Sequence, residues 1–292
     1  MSKILVIGSS NMDYTIYCSS FPKDGETIYG KKRIVQPGGK GANQAAAAAK
    51  SELVPVTFIC SIGSDSDGEN IQKLMKELGI NALFKVNSDT ETGNATIDIN
   101  EDGENKIIII AGANALLNIE DISESVIAEH DIIVLQNEIK AETNAHILKT
   151  AHNLSKTVIY NPAPVRDIDD ELLQYVDYFI VNVPELLSYS KSEDISKGVE
   201  TLQKLGIKNI IVTLGSKGSL FINKDEEIKI EPYKVEAVDT VAAGDTYVGY
   251  FAACLAKGYT VKEALNYASK ASSITVTRQG SIISIPFGNE VF

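Results

Sequence analysis

No stretch of this chain approaches the roughly 18 consecutive apolar residues that a membrane-spanning helix requires. The opening MSKILVIGSSNMD holds an apolar run too short for the core of a secretion signal, so a cytoplasmic location is expected. Cysteine is scarce. Cys18, Cys60 and Cys254 lie far apart, form no CxxC pair and read as thiols of a reducing compartment. His130, His146 and His152 sit in or beside helical patterns with no Cys or His at ligand spacing, which argues against a zinc site. Basic charge is also short, with 27 Lys and Arg against 39 Asp and Glu. The densest basic run is Lys31-Lys32-Arg33, too little for a nucleic-acid face. With a net charge of −12, binding an anion requires local dipoles and an added cation.

What the chain has in quantity is alternation. Short β-branched runs at Ile4–Ile7, Thr57–Ile62, Ile132–Leu135, Thr157–Tyr160, Tyr178–Val181 and Asn209–Thr213 read as strands buried on both faces. Helical patterns at Ala42–Lys50, Glu69–Leu78, Ala141–Asn153 and Ser192–Leu205 lie between them, as in βαβ units of an α/β fold. Near the end, Ser219–Ile222 and Glu227–Ile230 flank Asn223-Lys224-Asp225 and predict an antiparallel hairpin. Asp13–Tyr17 with Thr27–Val35, and Gly93–Asn100 with Lys106–Ala111 around the turn Glu101-Asp102-Gly103-Glu104, read as strand pairs without helices. They predict a small separate sheet placed as a flap over a cleft. With 292 residues and no internal repeat, a single α/β domain is expected, its lid strands inserted at about 13–36 and 93–111.

Three sets of residues carry chemistry. Asp239-Thr-Val-Ala-Ala-Gly-Asp-Thr246 opens a helix predicted from about Gly244 to Lys257 and capped by Gly258. The first turn of such a helix presents free N–H groups and a positive dipole end, which suits a transferring phosphoryl group. Asp245 sits there, as a group that orients a hydroxyl or as an ordinary first-turn Asp. The second set, Gly38-Gly39-Lys40-Gly41-Ala42-Asn43-Gln44, reads as a ligand loop or as a plain helix start. It is not a Walker A loop, because no Gly-Lys pair is followed by Ser or Thr. No GxGxxG follows the first strand either. Third, Asn11, Asp13, Glu138, Asn182 and Glu185 fall just beyond strand ends, where open α/β sheets bind ligands.

Taken together, GGKGANQA at 38–45, NPAP at 161–164, NVPE at 182–185, TLGSKG at 213–218 and VDTVAAGDTYVG at 238–249 resemble the ribokinase/PfkB family of carbohydrate kinases. The resemblance runs over essentially the whole chain. It implies a three-layer α/β fold with a mostly parallel central sheet flanked by helices, and a small β-sheet lid that often clasps a second copy in a homodimer. It implies transfer of the ATP γ-phosphoryl group to a primary sugar hydroxyl, with Asp245 as catalytic base and the amides of Ala242, Ala243, Gly244 and Asp245 as anion hole. Asn11, Asp13, Gly39, Lys40, Asn43 and Glu138 would hold the sugar. Asn182 and Glu185 would organise Mg²⁺ and phosphate, and Thr213, Gly215, Ser216 and Gly218 would lie along ATP. A monovalent cation, K⁺, would be held by Asp239, the carbonyls of Val241, Thr275, Arg278 and Gly280, and the Ser284 hydroxyl.

The expected sugar shell has Lys40 as its only cation, whereas a phosphosugar would call for an Arg or Lys cluster. The resemblance places Ala95, Ile97 and Ile109 at the lid pocket, and none of them is the aromatic surface a nucleoside would stack on. D-ribose, phosphorylated at the 5-hydroxyl, is the expected substrate. The alternatives are 2-deoxyribose, fructose or a nucleoside, and, in a different class, a sugar-binding protein without catalysis. Two departures from the family pattern stand out. Asn94, Thr96 and Asp98 make the lid strand unusually polar on the face opposite Ala95 and Ile97. The sequence also stops after SIPFGNEVF, where many members carry a further helix.

Overall fold

The computed structural model describes residues 2–292. Its first strand, β1 (Ile4–Ile7), runs into the lid strands β2 (Asn11–Tyr17) and β3 (Lys32–Gly38), then into helix α1 (Lys40–Lys50). β4 (Val56–Gly63), α2 (Ser66–Glu77) and β5 (Asn81–Asn87) precede the second lid pair, β6 (Gly93–Ile99) and β7 (Asn105–Ile110). After α3 (Glu124–Ala128) the alternation is regular: β8 (Ile132–Gln136), α4 (Ala141–Asn153), β9 (Thr157–Asn161), α5 (Asp170–Leu173), β10 (Tyr178–Asn182), α6 (Val183–Ser190), α7 (Ile195–Lys204) and β11 (Asn209–Thr213). The hairpin β12 (Ser219–Ile222) and β13 (Glu227–Ile230) leads to α8 (Ala243–Lys257), α9 (Val261–Thr275) and the short α10 (Gly288–Val291).

The main sheet has nine strands in the order β13-β12-β11-β10-β9-β8-β1-β4-β5. All neighbours are parallel except β11–β12 and β12–β13, so the expected terminal hairpin is present. Alternate side chains of β1 go to opposite layers. Ile4 and Val6 join a core built with α1, α2, α8 and α9, while Leu5 and Ile7 join one built with α4 to α7. Each such side chain, taken wholly out of water, contributes roughly 1.5–3 kcal/mol. Two buried layers of this kind make β1 and β8 continuous apolar runs, the pattern that identified them.

From β1 the chain first builds outward through β4 and β5, then returns to add β8, β9, β10 and β11 on the other flank. The order therefore reverses between β1 and β8, and the crevice beyond their carboxyl ends is the switch point where α/β sheets bind ligands. The second sheet, ordered β3-β2-β6-β7, stands over that crevice. It is two hairpins joined through a parallel pairing of β2 with β6.

Three readings need correction. The partner of β2 is Lys32–Gly38, not Thr27–Val35, because the strand continues to Gly38, which pairs with Asn11. β5 was not expected. Its NALFKVN mixes polar and apolar residues, as befits an outer strand buried on one side only. α9 was not expected either, though Thr260 and Glu263 form a capping box at its start, a signal legible in the sequence.

Candidate active site

Gly38 and Gly39 deliver the chain from the lid sheet to α1, and neither tolerates a side chain. A Cβ on Gly38 would lie 1.9 Å from Asp13 Oδ2. Gly39 has φ +87°, and a Cβ there would lie 2.8 Å from the Asn11 nitrogen. Lys40 then begins α1, with its backbone N–H donating to Glu138 Oε2 at 2.9 Å. The same oxygen accepts from Ser9 Oγ at 2.5 Å, which ties the ends of β1 and β8 together across the switch point.

Around this tie lie the expected sugar residues. Asn11 Oδ1 accepts from Asn114 Nδ2 at 2.8 Å, and Asn114 is itself fixed to the backbone of Ser10 in both directions. Asn11 Nδ2 is left as a free donor. Asp13 is buried, and among the described residues its carboxylate has no hydrogen-bond partner. Burial, with Glu138 and Asp245 adding repulsion against the pull of Lys40, pushes its pKa up to about 7. Burial alone would lower the Lys40 ammonium. Asp245, Glu138, Glu185 and Asp13 outweigh that effect and hold it above the ordinary lysine value. Asn43 Oδ1 is a buried acceptor without a partner.

Ala242 has φ +59° and turns the chain into α8. The Ala243 N–H folds back to Thr240 O at 3.3 Å, and the Thr246 N–H bonds Ala242 O at 2.8 Å. Among the described residues, the N–H groups of Ala242, Gly244 and Asp245 find no protein acceptor. These three are the best-placed amides of the expected anion hole, and Ala243 is the weakest of the four. A Cβ on Gly244 would meet nothing within 4 Å, so the bare backbone faces open space. Asp245 lies buried in the first turn of α8. Its Oδ2 accepts from Asn43 Nδ2 and its Oδ1 from Gln44 Nε2, both at 2.9 Å.

Two cavities meet here. The smaller, about 220 Å³, lies among Lys40, Asn182, Glu185 and the turn Ala242–Asp245. The larger, about 620 Å³, runs from Thr213, Gly215, Ser216 and Gly218 past Tyr233 to Ser272. They share Thr213, Thr240, Ala243 and Gly244 as a common wall. Asn182 and Glu185 form a capping box for α6, in which Asn182 Oδ1 takes the Glu185 N–H and Glu185 Oε2 takes the Asn182 N–H. The second oxygen of Glu185 stays available.

The expected cation loop is also assembled. Asp239 accepts the N–H of Val241 through Oδ1 and that of Gly280 through Oδ2, each at 3.0 Å. Thr275 Oγ1 donates to Thr246 Oγ1 at 3.1 Å, and Ser284 Oγ donates to Ser281 O at 2.7 Å. The Arg278 side chain turns away to pair with Glu290. Lys50 Nζ clamps the loop from below by donating to Ile282 O (2.7 Å) and Ile285 O (2.8 Å). The buried Gln36 Oε1 has no partner and lies beside Gly280. Carboxylate, carbonyl and hydroxyl oxygens of this kind suit a hard alkali cation.

Sequence reasoning assigned no role to Ser9, Gln44 or Asn114. Gln44 lay inside the glycine-loop motif. Asn114 follows a lid strand, a place where strand-end residues were not sought.

A doubly wound sheet with a buried, unpartnered carboxylate near an anion-ready helix N-terminus suits a phosphotransferase acting on a polyhydroxyl compound. The chain matches the pfkB family carbohydrate kinase model over residues 1–287 and belongs to that family. It is 37% identical to a ribokinase of Lactococcus lactis, covering 100% of this chain and 96% of that one. It is 35% identical to a deoxyribokinase of Salmonella typhi, covering 97% and 95%. Arabidopsis thaliana ribokinase, solved with ribose and ATP, superposes with a TM-score of 0.91 at 32% identity, covering 99% and 97%.

Proposed function

We propose that the protein phosphorylates D-ribose at the 5-hydroxyl with ATP, giving ribose 5-phosphate and ADP. The observation that carries this reading is Asp13: a buried, unpartnered carboxylate close to Glu138, Asp245 and Lys40 is a site waiting for hydroxyl donors. Asn11, Asp13, Gly39, Lys40, Asn43 and Glu138 hold the sugar, with Ala95 and Ile97 of the lid closing over it. ATP lies in the larger cavity along Thr213, Gly215, Ser216 and Gly218, its γ-phosphate at the shared wall.

Asp245 accepts the proton of the 5-hydroxyl as the new O–P bond forms and the bond to the ADP oxygen breaks. The loose transition state needs positioning and charge stabilisation more than a strong base. Its charge falls on the free amides of Ala242, Gly244 and Asp245 and on the Lys40 ammonium. Asn182 and Glu185 would hold Mg²⁺, and Asp239 with the carbonyls of Val241, Thr275, Arg278 and Gly280 and the Ser284 hydroxyl would hold K⁺. Bound there, the ions would supply positive field that the side chains lack.

The deoxyribokinase relative supports a second reading with the same chemistry on 2-deoxyribose. In a dimer, the lid would contribute the edge strand β7, whose Ile107–Ile110 are all exposed. ADP release with ATP, Mg²⁺ and K⁺ is to be compared for ribose, 2-deoxyribose, fructose, fructose 6-phosphate and adenosine. Ribose is expected to turn over fastest, and equal turnover of 2-deoxyribose would mean that the 2-hydroxyl is not read. Asp245→Asn is expected to bind both substrates and to turn over about 10²–10⁴-fold more slowly. A near-normal rate would remove Asp245 from the mechanism.

A further inference from the structure

Nothing in α8 holds the Asp245 side chain in place. Both of its oxygens are held from α1. Asn43, one of the two donors, also belongs to the sugar shell. Gln44, the other, is fully buried, and protein partners take both its amide oxygen and its amide nitrogen, so contact with substrate does not explain it.

The Gln44 amide is itself fixed from three sides. Its Oε1 accepts from Gln136 Nε2 at 2.8 Å, which turns the amide nitrogen toward Asp245 Oδ1 at 2.9 Å and Asn161 Oδ1 at 3.1 Å. Gln136 ends β8 and is fully buried. Asn161 ends β9 and donates to Ile180 O at 2.9 Å. The fold is cut to fit this chain of amides. A Cβ on Gly8 would lie 1.9 Å from Gln136 Oε1. A Cβ on Gly249, one turn beyond Asp245, would lie 2.5 Å from Gln44 O and 2.5 Å from Ala47 Cβ. The close approach of α8 to the alanine-rich face of α1 therefore sets the distance between Gln44 and Asp245.

We propose that Gln44 is a positioning residue of the transfer reaction, and that the relay Gln136–Gln44–Asp245 fixes the plane in which the carboxylate meets the sugar hydroxyl. The proposal rests on Asp245 being the group that takes the hydroxyl proton. With one amide N–H on each oxygen, the carboxylate cannot rotate, and each oxygen keeps a lone pair for the cleft. Reaction rates are sensitive to such placement, since a displacement near 1 Å can cost on the order of 10²-fold.

The test compares Gln44→Met, which keeps length and bulk but donates nothing, with Gln44→Glu, which keeps an acceptor for Gln136 and turns an oxygen toward Asp245. Gln44→Met should lower kcat about 10- to 100-fold and move the KM of ribose and of ATP by less than about threefold. Gln44→Glu should be slower still at pH 8 and recover part of its kcat toward pH 6, because its carboxyl becomes a donor when protonated. Wild type and Gln44→Met should show no such recovery. Asp13, Glu138, Glu185 and Lys40 face the same cleft in every variant, so profiles are compared at saturating sugar. Adding Gln136→Leu to Gln44→Met should cost little more than Gln44→Met alone, the non-additivity expected of one relay. Calorimetric ribose binding checks that each variant is folded. If Gln44→Met does not fold, the pH profile of Gln44→Glu decides. A wild-type kcat in Gln44→Met, or a Gln44→Glu profile parallel to wild type, overturns the relay. Asp245→Asn is assayed beside them. If it remains active, the reading of Asp245 fails. If it is inactive while Gln44→Met is normal, only the relay fails.

Discussion

Sugar affinity should depend on pH through Asp13, and the sign and size follow from its surroundings. An aspartate in an unfolded chain titrates near its ordinary value of 3.8, whereas burial and the charges of Glu138 and Asp245 move Asp13 to about 7. Sugar hydroxyls donate to the ionised form. About a tenth of that form is present at pH 6 and about nine-tenths at pH 8, so ribose should bind roughly tenfold more weakly at pH 6. The same displacement costs stability. Between pH 4 and 7 the folded protein keeps a proton that the unfolded chain has lost, so stability falls as pH rises through this window and stays lower above it. The loss amounts to at most roughly 4 kcal/mol. Asp13→Asn removes the charge, so the sugar-free variant should melt several degrees higher than wild type at pH 8 while losing most of its ribose affinity. Calorimetric titration with ribose from pH 6 to 8.5, and melting curves of both proteins without sugar, measure the two effects. A flat affinity, tighter binding in acid, or a lower melting temperature for Asp13→Asn at pH 8 would refute the reasoning.

Two further outcomes are expected. Gly38→Ala places a methyl group 1.9 Å from Asp13 Oδ2, so the carboxylate must move and the KM for ribose should rise at least about tenfold; steady-state kinetics checks this. Activity should rise with K⁺ and not with Li⁺ at constant ionic strength, and Asp239→Asn should weaken that response, because Asp239 ties Val241 to Gly280; a coupled ADP assay with each salt reads it out.

The parts of the fold legible in the sequence were those under two-sided burial. β1 and the Ile132–Leu135 run of β8 are apolar because both faces meet core, and residues at or just past their ends fall into the crevice by topology alone. β5 was missed because an outer strand with one wet face carries a weaker pattern. The β2 partner was misplaced because Thr27–Val35 and Lys32–Gly38 overlap, and only pairing with Asn11 fixes the register. In the site, glycines and carboxylates announced themselves through residue type. Gln44 and Asn114 act through neighbours far away in sequence, Asp245 and Asn11 respectively, and no local spacing carries that information.

The charges of the cleft place a condition on the nucleotide. Asp13, Glu138, Glu185 and Asp245 all act on Lys40, the one side-chain cation among them. A triphosphate brought into such surroundings meets repulsion of roughly 4 kcal/mol for each close like-charged pair near a protein surface. The first turn of α8 offers about half a positive charge, too little to offset even one carboxylate in full. The protein therefore has two means of admitting ATP. It can neutralise a carboxylate, as burial does for Asp13, but that group is needed ionised for the sugar. Otherwise added cations must supply the positive charge, and under the proposed function Asn182 with Glu185 would hold Mg²⁺ and the Asp239 loop would hold K⁺. The acidic composition and the proposed dependence on both ions thus have one physical cause.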